Sequence, residues 1–117
     1  MDARLRSRIE IETLHELLPV LNYYRLLGLK NDCPQGDVDS AFRQESRRLH
    51  PDRHLAGAPV EFRGKVNDVF KAVNDAYRVL RDPDQRARYD QELLMGELKM
   101  AEESRKAAEA DAAARND

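Results

Sequence analysis

The sequence contains no tryptophan, one cysteine and no long apolar run. Each absence closes off a class of protein. A single thiol, Cys33, cannot form an internal disulfide, and it cannot supply the paired thiolates of a zinc ribbon or finger. A reducing compartment suits such a chain. Without a stretch of about 18 or more apolar residues, no membrane-spanning helix is expected. Met1 to Arg8 alternates charge with small or apolar groups and no apolar stretch follows, so no secretory leader is expected either. These absences point to the cytoplasm and away from a membrane partner. An excess of positive charge is also missing. The chain has 20 Lys and Arg against 22 Asp and Glu, a net charge of -2, and a pI of about 5.9. Whole-molecule attraction to nucleic acid is therefore not indicated, and any charged interface must be a local patch.

What is present is polar and helical. Charged residues make up 36% of 117 and hydrophobic ones 41%, with a mean hydropathy of -0.78. Such a chain buries one small core, so a compact domain with solvated extensions is expected. Nothing alternates with period two, which predicts an all-α fold without a sheet. Residues 5 to 18 read as a helix, because Ile11, Leu14, Leu18 and Leu21 share one face before Pro19 interrupts the pattern. That face suits packing on the main domain; docking of another chain is the alternative.

A short helix follows, with Asn22 as N-cap and Gly28 suited to end it. Pro34 opens the next, where its missing N–H costs nothing. Val38, Ala41, Phe42 and Leu49 carry its apolar stripe to near His50, which a following proline pushes out of the helical region. Residues 51 to 58 are expected to form a loop. From Phe62 to Leu80, apolar residues recur at Val66, Val69, Phe70, Val73, Ala76 and Tyr77, a five-turn helical face. Asp82 and Pro83 start a further helix with Tyr89, Leu93 and Leu94 facing inward. From Glu97 to Asp117 the chain is rich in alanine and charge. Its propensity is helical, but with little to bury it is expected to fray or to be disordered towards its end.

The loop opens with His50-Pro51-Asp52-Arg53. Proline stiffens it, so His50 and Asp52 are displayed with less entropy to lose on binding. Asp52 can accept a charge-assisted bond from a partner's arginine. Arg43 and Arg47 lie four apart on the outward helix face, Arg48 is adjacent, and Arg53 continues the patch. Such a face speeds encounter and weakens with salt.

Here the sequence resembles the J domain of DnaJ-like proteins, over about residues 22 to 91. Asn22-Tyr23-Tyr24-Arg25-Leu26-Leu27-Gly28-Leu29 is similar to the family's first-helix signature, and Ala41-Phe42 lies where its second helix usually carries Ala-Tyr. His50-Pro51-Asp52-Arg53 is the hallmark tetrapeptide. Val69-Phe70-Lys71 through Asn74-Asp75-Ala76-Tyr77-Arg78-Val79-Leu80 resembles the third helix, and Asp84-Gln85-Arg86-Ala87-Arg88-Tyr89-Asp90 the fourth. A lone His-Pro-Asp occurs by chance; its place between two helices of the right phase makes the match specific.

The resemblance implies an antiparallel hairpin of the second and third helices, with the short first and fourth helices packed on it. With the residue patterns on either side, the chain is expected to divide into an N-terminal helical extension at 1–21, a J domain at 22–95 and an Ala- and charge-rich, helical or disordered tail at 96–117. It implies a co-chaperone that binds a DnaK-type heat-shock chaperone in its ATP state, stimulates the partner's ATP hydrolysis, and needs no cofactor, metal or catalytic residue of its own. Carried over residue by residue, partner contact falls on His50, Pro51, Asp52, Arg53, Arg43 and Arg47, with Phe70 and Lys71 next; Phe70 fits the core equally well. Tyr23, Phe42, Tyr77, Leu80 and Tyr89 are expected in the core. A further protein could dock through the N-terminal helix or through domains beyond this sequence. No Gly/Phe-rich linker or Cys-rich module follows, so a minimal J protein or the J-domain end of a larger one is expected.

Two departures matter. Glu45 stands where the family usually has leucine, and a buried unpaired carboxylate is costly, so an arginine should pair with it or the helix should rotate to keep it wet. Gln44 replaces a frequent basic residue and thins the positive face. The stretch from His50 to Phe70 is also long for a J domain. A third helix over 59–80 measures about 33 Å against about 24 Å for 34–49, so it should project beside the loop. Three other readings compete. His50, Asp52 and His54 could form a metal or proton-transfer site, but Pro51 restricts their convergence. A scaffold that has kept the J fold and lost chaperone activation is opposed by the intact tetrapeptide. A nucleic-acid-binding bundle is opposed by the acidic pI.

Overall fold

The computed structural model describes the backbone of residues 3–115 and the side chains of 8–114. The ends of the expected extension and tail, 1–2 and 116–117, lie outside the described residues. Six helices follow one another: α1 (Ala3–Leu17), α2 (Tyr23–Leu26), α3 (Gln35–Arg48), α4 (Pro51–His54), α5 (Val60–Leu80) and α6 (Pro83–Arg115). No strand occurs among the described residues.

The centre is the α3–α5 hairpin. Its antiparallel register is pinned at three levels. Gln35 Nε2 donates to the Leu80 carbonyl at 2.7 Å, the Phe42 and Tyr77 rings stack at 4.0 Å, and His50 meets Phe70 at the other end. Val38 and Leu49 of the α3 stretch face Phe62, Val66, Val69, Val73, Ala76 and Leu80 of α5, all buried. This is the apolar stripe of α5, interrupted only where Phe70 and Tyr77 drift to the flank.

α1 runs parallel to α5 and covers the start of that long helix. Ile11 is buried, while Leu14, Leu18 and Leu21 pack on the core from its edge. Arg8 lies over the Phe62 ring and His15 Nε2 sits 3.0 Å from Asp68 Oδ2, which fixes the register. By rise per residue, α5 is about 31 Å long and α3 about 21 Å. The extra length of α5 is thus clothed by α1.

The opposite end is closed by α2 and α6. Asn22 caps α2 by accepting from the Arg25 N–H at 2.8 Å. In so short a helix, periodicity does not settle which tyrosine points inward. The core tyrosine is Tyr24, fully buried, whereas Tyr23, expected in the core, is only half-buried and stacks on Tyr89 at 4.6 Å. The Tyr24 hydroxyl donates to Asp90, and Arg86 Nε donates to the same hydroxyl at 2.9 Å. Burial, and then the bond to Asp90, push the Tyr24 phenol up to about 12, against the pull of Arg86. Phe42 and Tyr77 likewise form a half-buried flank rather than the centre.

Beyond Leu93, α6 leaves the body. Leu94, expected to face inward, is exposed, as are Met95 and Leu98. The tail, expected to be helical by propensity, continues α6 through Gly96 to Arg115. Two reasons suffice. The helix is nucleated within the body, so each further residue only extends it. Alanine and the ion pairs Glu102–Lys106 (3.2 Å) and Arg105–Glu109 (3.9 Å) then favour extension. None of the described helices is long and apolar enough to cross a membrane.

Candidate functional site

The tetrapeptide sits where α3 gives way to α5. His50 is extended (φ -61°, ψ 133°), as a residue before proline must be, and Pro51 takes the first helical position. The His50 ring accepts the Asp52 N–H through Nδ1 at 3.2 Å, in the manner of an N-cap. Residues 51–54 therefore form one helical turn, α4, where a loop was expected; the loop proper is residues 55 to 59. Inside it, Gly57 takes φ +68° and Ala58 is buried.

Side chains of α4 then reach back to the end of α3. His54 Nε2 lies 2.8 Å from the Arg48 carbonyl, and Arg53 Nη1 donates to the Arg47 carbonyl at 3.2 Å. A carbonyl only accepts, so the network assigns the proton of His54 to Nε2. Both bonds satisfy carbonyls that the last turn of a helix leaves open. The His50 ring meets Phe70 edge-on at 5.3 Å. The turn is thus tied to α3 by hydrogen bonds and braced on α5 by an aromatic contact.

What this frame displays is polar. With Nδ1 of His50 accepting, its proton sits on Nε2, available to a partner. The Asp52 side chain is 91% exposed, its carboxylate 3.7 Å from His50 Nδ1. Arg43 and Arg47 are exposed on α3 and Arg53 on α4. With Ser40, Gln44 and Arg48 they line a shallow groove, and Ser46, Arg47, His50 and Arg53 line a neighbouring depression. Phe70 is half-buried, with its ring against His50. Lys71 is exposed beside it, in a depression with Asn67, Asn74 and Arg78 on the outer face of α5. The structure therefore brings His50, Pro51, Asp52, Arg53, Arg47 and Phe70 together. Arg43 is one helical turn further along, and Lys71 lies in a depression on the outer face of α5 that Phe70 also lines.

Arg48, adjacent to the outward basic face, is the arginine that pairs with Glu45. Its Nη2 and Nε donate to Glu45 at 2.7 and 3.3 Å, and its Nη1 donates to Glu10 of α1 at 2.6 Å. This answers the difficulty of Glu45. The side chain is 17% exposed and is paired with a guanidinium. Reading the sequence weighed His54 only as a metal or proton-transfer group, not as a brace, and missed Glu10. His54 had a signal: proline after a histidine at the end of a helix marks a new helical start, which puts His54 at its last position. Glu10 had none, because its contact with Arg48 is tertiary. Both imidazoles of the loop are committed to backbone groups, and no group of three or more His, Cys, Asp or Glu among the described residues is arranged to hold a metal.

Comparison with known proteins bears on the same segment. A family model described as the DnaJ domain matches residues 22–90. Chaperone protein DnaJ of Clostridium beijerinckii is 40% identical over 70 residues, 60% of this chain and 17% of that protein. Chaperone protein DnaJ of a Synechococcus species is likewise 40% identical over 70 residues, with the same coverage. The tetratricopeptide repeat and J domain-containing co-chaperone DNJ1 of Fusarium oxysporum is 39% identical over 70 residues, 59% of this chain and 13% of that protein. The chain thus spans a small part of the length of these relatives, and the shared part is the helical hairpin with its displayed turn. Matched over more than half of its length, the chain belongs to the J-domain co-chaperone family.

Proposed function

We propose that the chain binds a DnaK-type heat-shock chaperone in its ATP state through the His50–Arg53 turn and the arginines of α3, and stimulates ATP hydrolysis by that partner. One observation carries the reading: a histidine and a carboxylate are held on a braced turn and left facing solvent. Groups kept polar and outward on a rigid frame lose little entropy on docking. Asp52 offers a carboxylate to a partner's arginine, and His50 offers an N–H. Arg43, Arg47 and Arg53 supply positive charge for encounter with an acidic surface. Phe70 sets the His50 ring, and Lys71 widens the contact along α5. In this reading the chain makes and breaks no covalent bond; the partner's nucleotide site does the chemistry, in the cytoplasm.

The test is the single-turnover ATPase rate of a cognate DnaK-type chaperone with and without this protein. Wild type should raise the rate and His50→Gln should lose most of the rise, with the helical circular dichroism of the two unchanged. Equal stimulation by both would remove the turn from the mechanism. Arg43→Ala with Arg47→Ala should weaken binding and flatten its salt dependence; an unaltered salt slope would exclude the arginines.

A further inference from the structure

Arg48 stands at the rim of the arginine-lined groove, with Ser40, Arg43, Gln44, Arg47 and Arg53. Its side chain is 41% exposed, so a partner can reach it. It is nonetheless already engaged. Glu45, from α3 itself and largely covered, is a fixed partner. Glu10 is a different kind of partner. It comes from 38 residues away in sequence, it is 44% exposed, and it belongs to α1, which lies outside the segment matched by the family model.

The placement of Glu10 follows from packing. Its neighbour Ile11 is buried in the core, and the Arg8–Phe62 and His15–Asp68 contacts fix α1 along α5 on either side of it. Arg48 and Glu45 cancel in charge. Glu10 therefore leaves one negative charge in excess at the edge of a groove otherwise lined by arginines, and it presents to Arg48 the same group that an acidic partner would present.

We propose that Glu10 is a specificity-determining residue, which occupies Arg48 as a partner's carboxylate would and so sets how acidic a surface must be to dock on the α3 groove. The proposal rests on the docking reading given above. A partner that needs Arg48 must displace Glu10; a partner satisfied by Arg43, Arg47 and Arg53 need not. The α1 extension then tunes partner choice without touching the displayed turn.

Glu10→Gln removes the charge and keeps the shape. Affinity for the ATP-state chaperone at low salt should rise about two- to fivefold, the range of an exposed ion pair. The gain should shrink at high salt, and the maximal stimulated ATPase rate should not change. In an Arg48→Ala background, Glu10→Gln should have no effect. Equal affinity of wild type and Glu10→Gln at low salt, or a gain that survives in Arg48→Ala, overturns the proposal. So does a gain accompanied by faster amide exchange along α1, since undocking of the helix then explains it. A second arm does not depend on the chaperone: a polyglutamate peptide is titrated while the Arg48 Nε–H resonance is followed. The variant should bind the peptide more tightly than wild type, and equal affinities count against competition at Arg48. Failure of wild type to bind the chaperone would instead remove the docking reading, with the peptide titration still deciding the role of Glu10.

Discussion

The two ends of the α3–α5 hairpin use the same kinds of polar group to opposite effect. At the α2–α6 end, Arg86 alone donates to the Tyr24 hydroxyl, the Gln35 side chain and the carbonyls of Asn31 and Cys33. Its charge is spent inside the molecule. At the α4 end, His54 and Arg53 also donate to carbonyls, but those bonds hold a turn whose own carboxylate faces water. One end is closed on itself; the other is fixed in place with a carboxylate left in solvent. Stability and recognition should therefore separate by position, and substitutions at the two ends should fail in different assays.

The largest effect on stability is expected at the closed end. Arg86→Ala removes at once the donor shared by the Tyr24 hydroxyl, the Gln35 side chain and the carbonyls of Asn31 and Cys33, and should cost about 2–3 kcal/mol by urea unfolding. A loss below about 1 kcal/mol would show that the network is ornamental and would break the comparison. Alkali probes the same cluster. Tyr24 has its folded-state pKa pushed up to about 12 from an ordinary value of 10.0. A group with a raised folded value contributes stability that is complete below its unfolded pKa and is lost as pH rises through its folded one. Stability should thus fall between about pH 10 and 12, and Tyr24→Phe should show a shallower fall over that window. Identical pH profiles for the two would remove Tyr24 from the linkage.

At the displayed end, Asp52→Asn should leave the unfolding midpoint where it is and reduce chaperone stimulation about tenfold or more, as loss of one partner in a desolvated charge pair does. A lowered midpoint with normal stimulation would reverse the roles of the two ends. His54→Ala is intermediate. It removes one hydrogen bond to the Arg48 carbonyl, worth about 1 kcal/mol, and should appear as faster amide exchange confined to residues 51–55. Stimulation should fall by less than in Asp52→Asn, because the contact groups remain and only their bracing is lost.

How much of this was legible in the sequence depended on whether the deciding interaction was local. The hairpin was legible because proline and apolar spacing are local signals: Pro34 and Pro59 sit at the starts of α3 and α5, and apolar residues recur at helical spacing from Phe62 to Leu80. The tetrapeptide was legible for the same reason, as a run of neighbours. The α4 turn was not recognised, although Pro51 carries the same signal as Pro83, because small residues and Gly57 following it read as loop. The identity of the core tyrosine was not legible, since four residues of helix fix no phase. The pairing of Arg48 with Glu10 was beyond reach, because it requires knowing how α1 lies against α3. Only the nearer half of that pairing, an arginine against Glu45, was legible, because those two residues lie three apart on one helix.

The tail sharpens the comparison in the other direction, since it has neither a closed network nor a displayed turn. Past Leu93 every described residue is exposed, so the helix there stands on propensity and a few exposed ion pairs. Gly96 is the weakest point in it, and a Cβ built there meets nothing within 4 Å. Gly96→Ala should therefore gain about 0.5–1 kcal/mol of local helix stability with no steric cost. The gain should appear as slower amide exchange in residues after 96 and a slightly stronger helical signal. It should not move the unfolding midpoint of the body, because nothing in the hairpin core touches that segment. A rise in the midpoint would mean that the tail and the closed end unfold as one unit, and α6 would then have to be counted as part of the fold along its whole length.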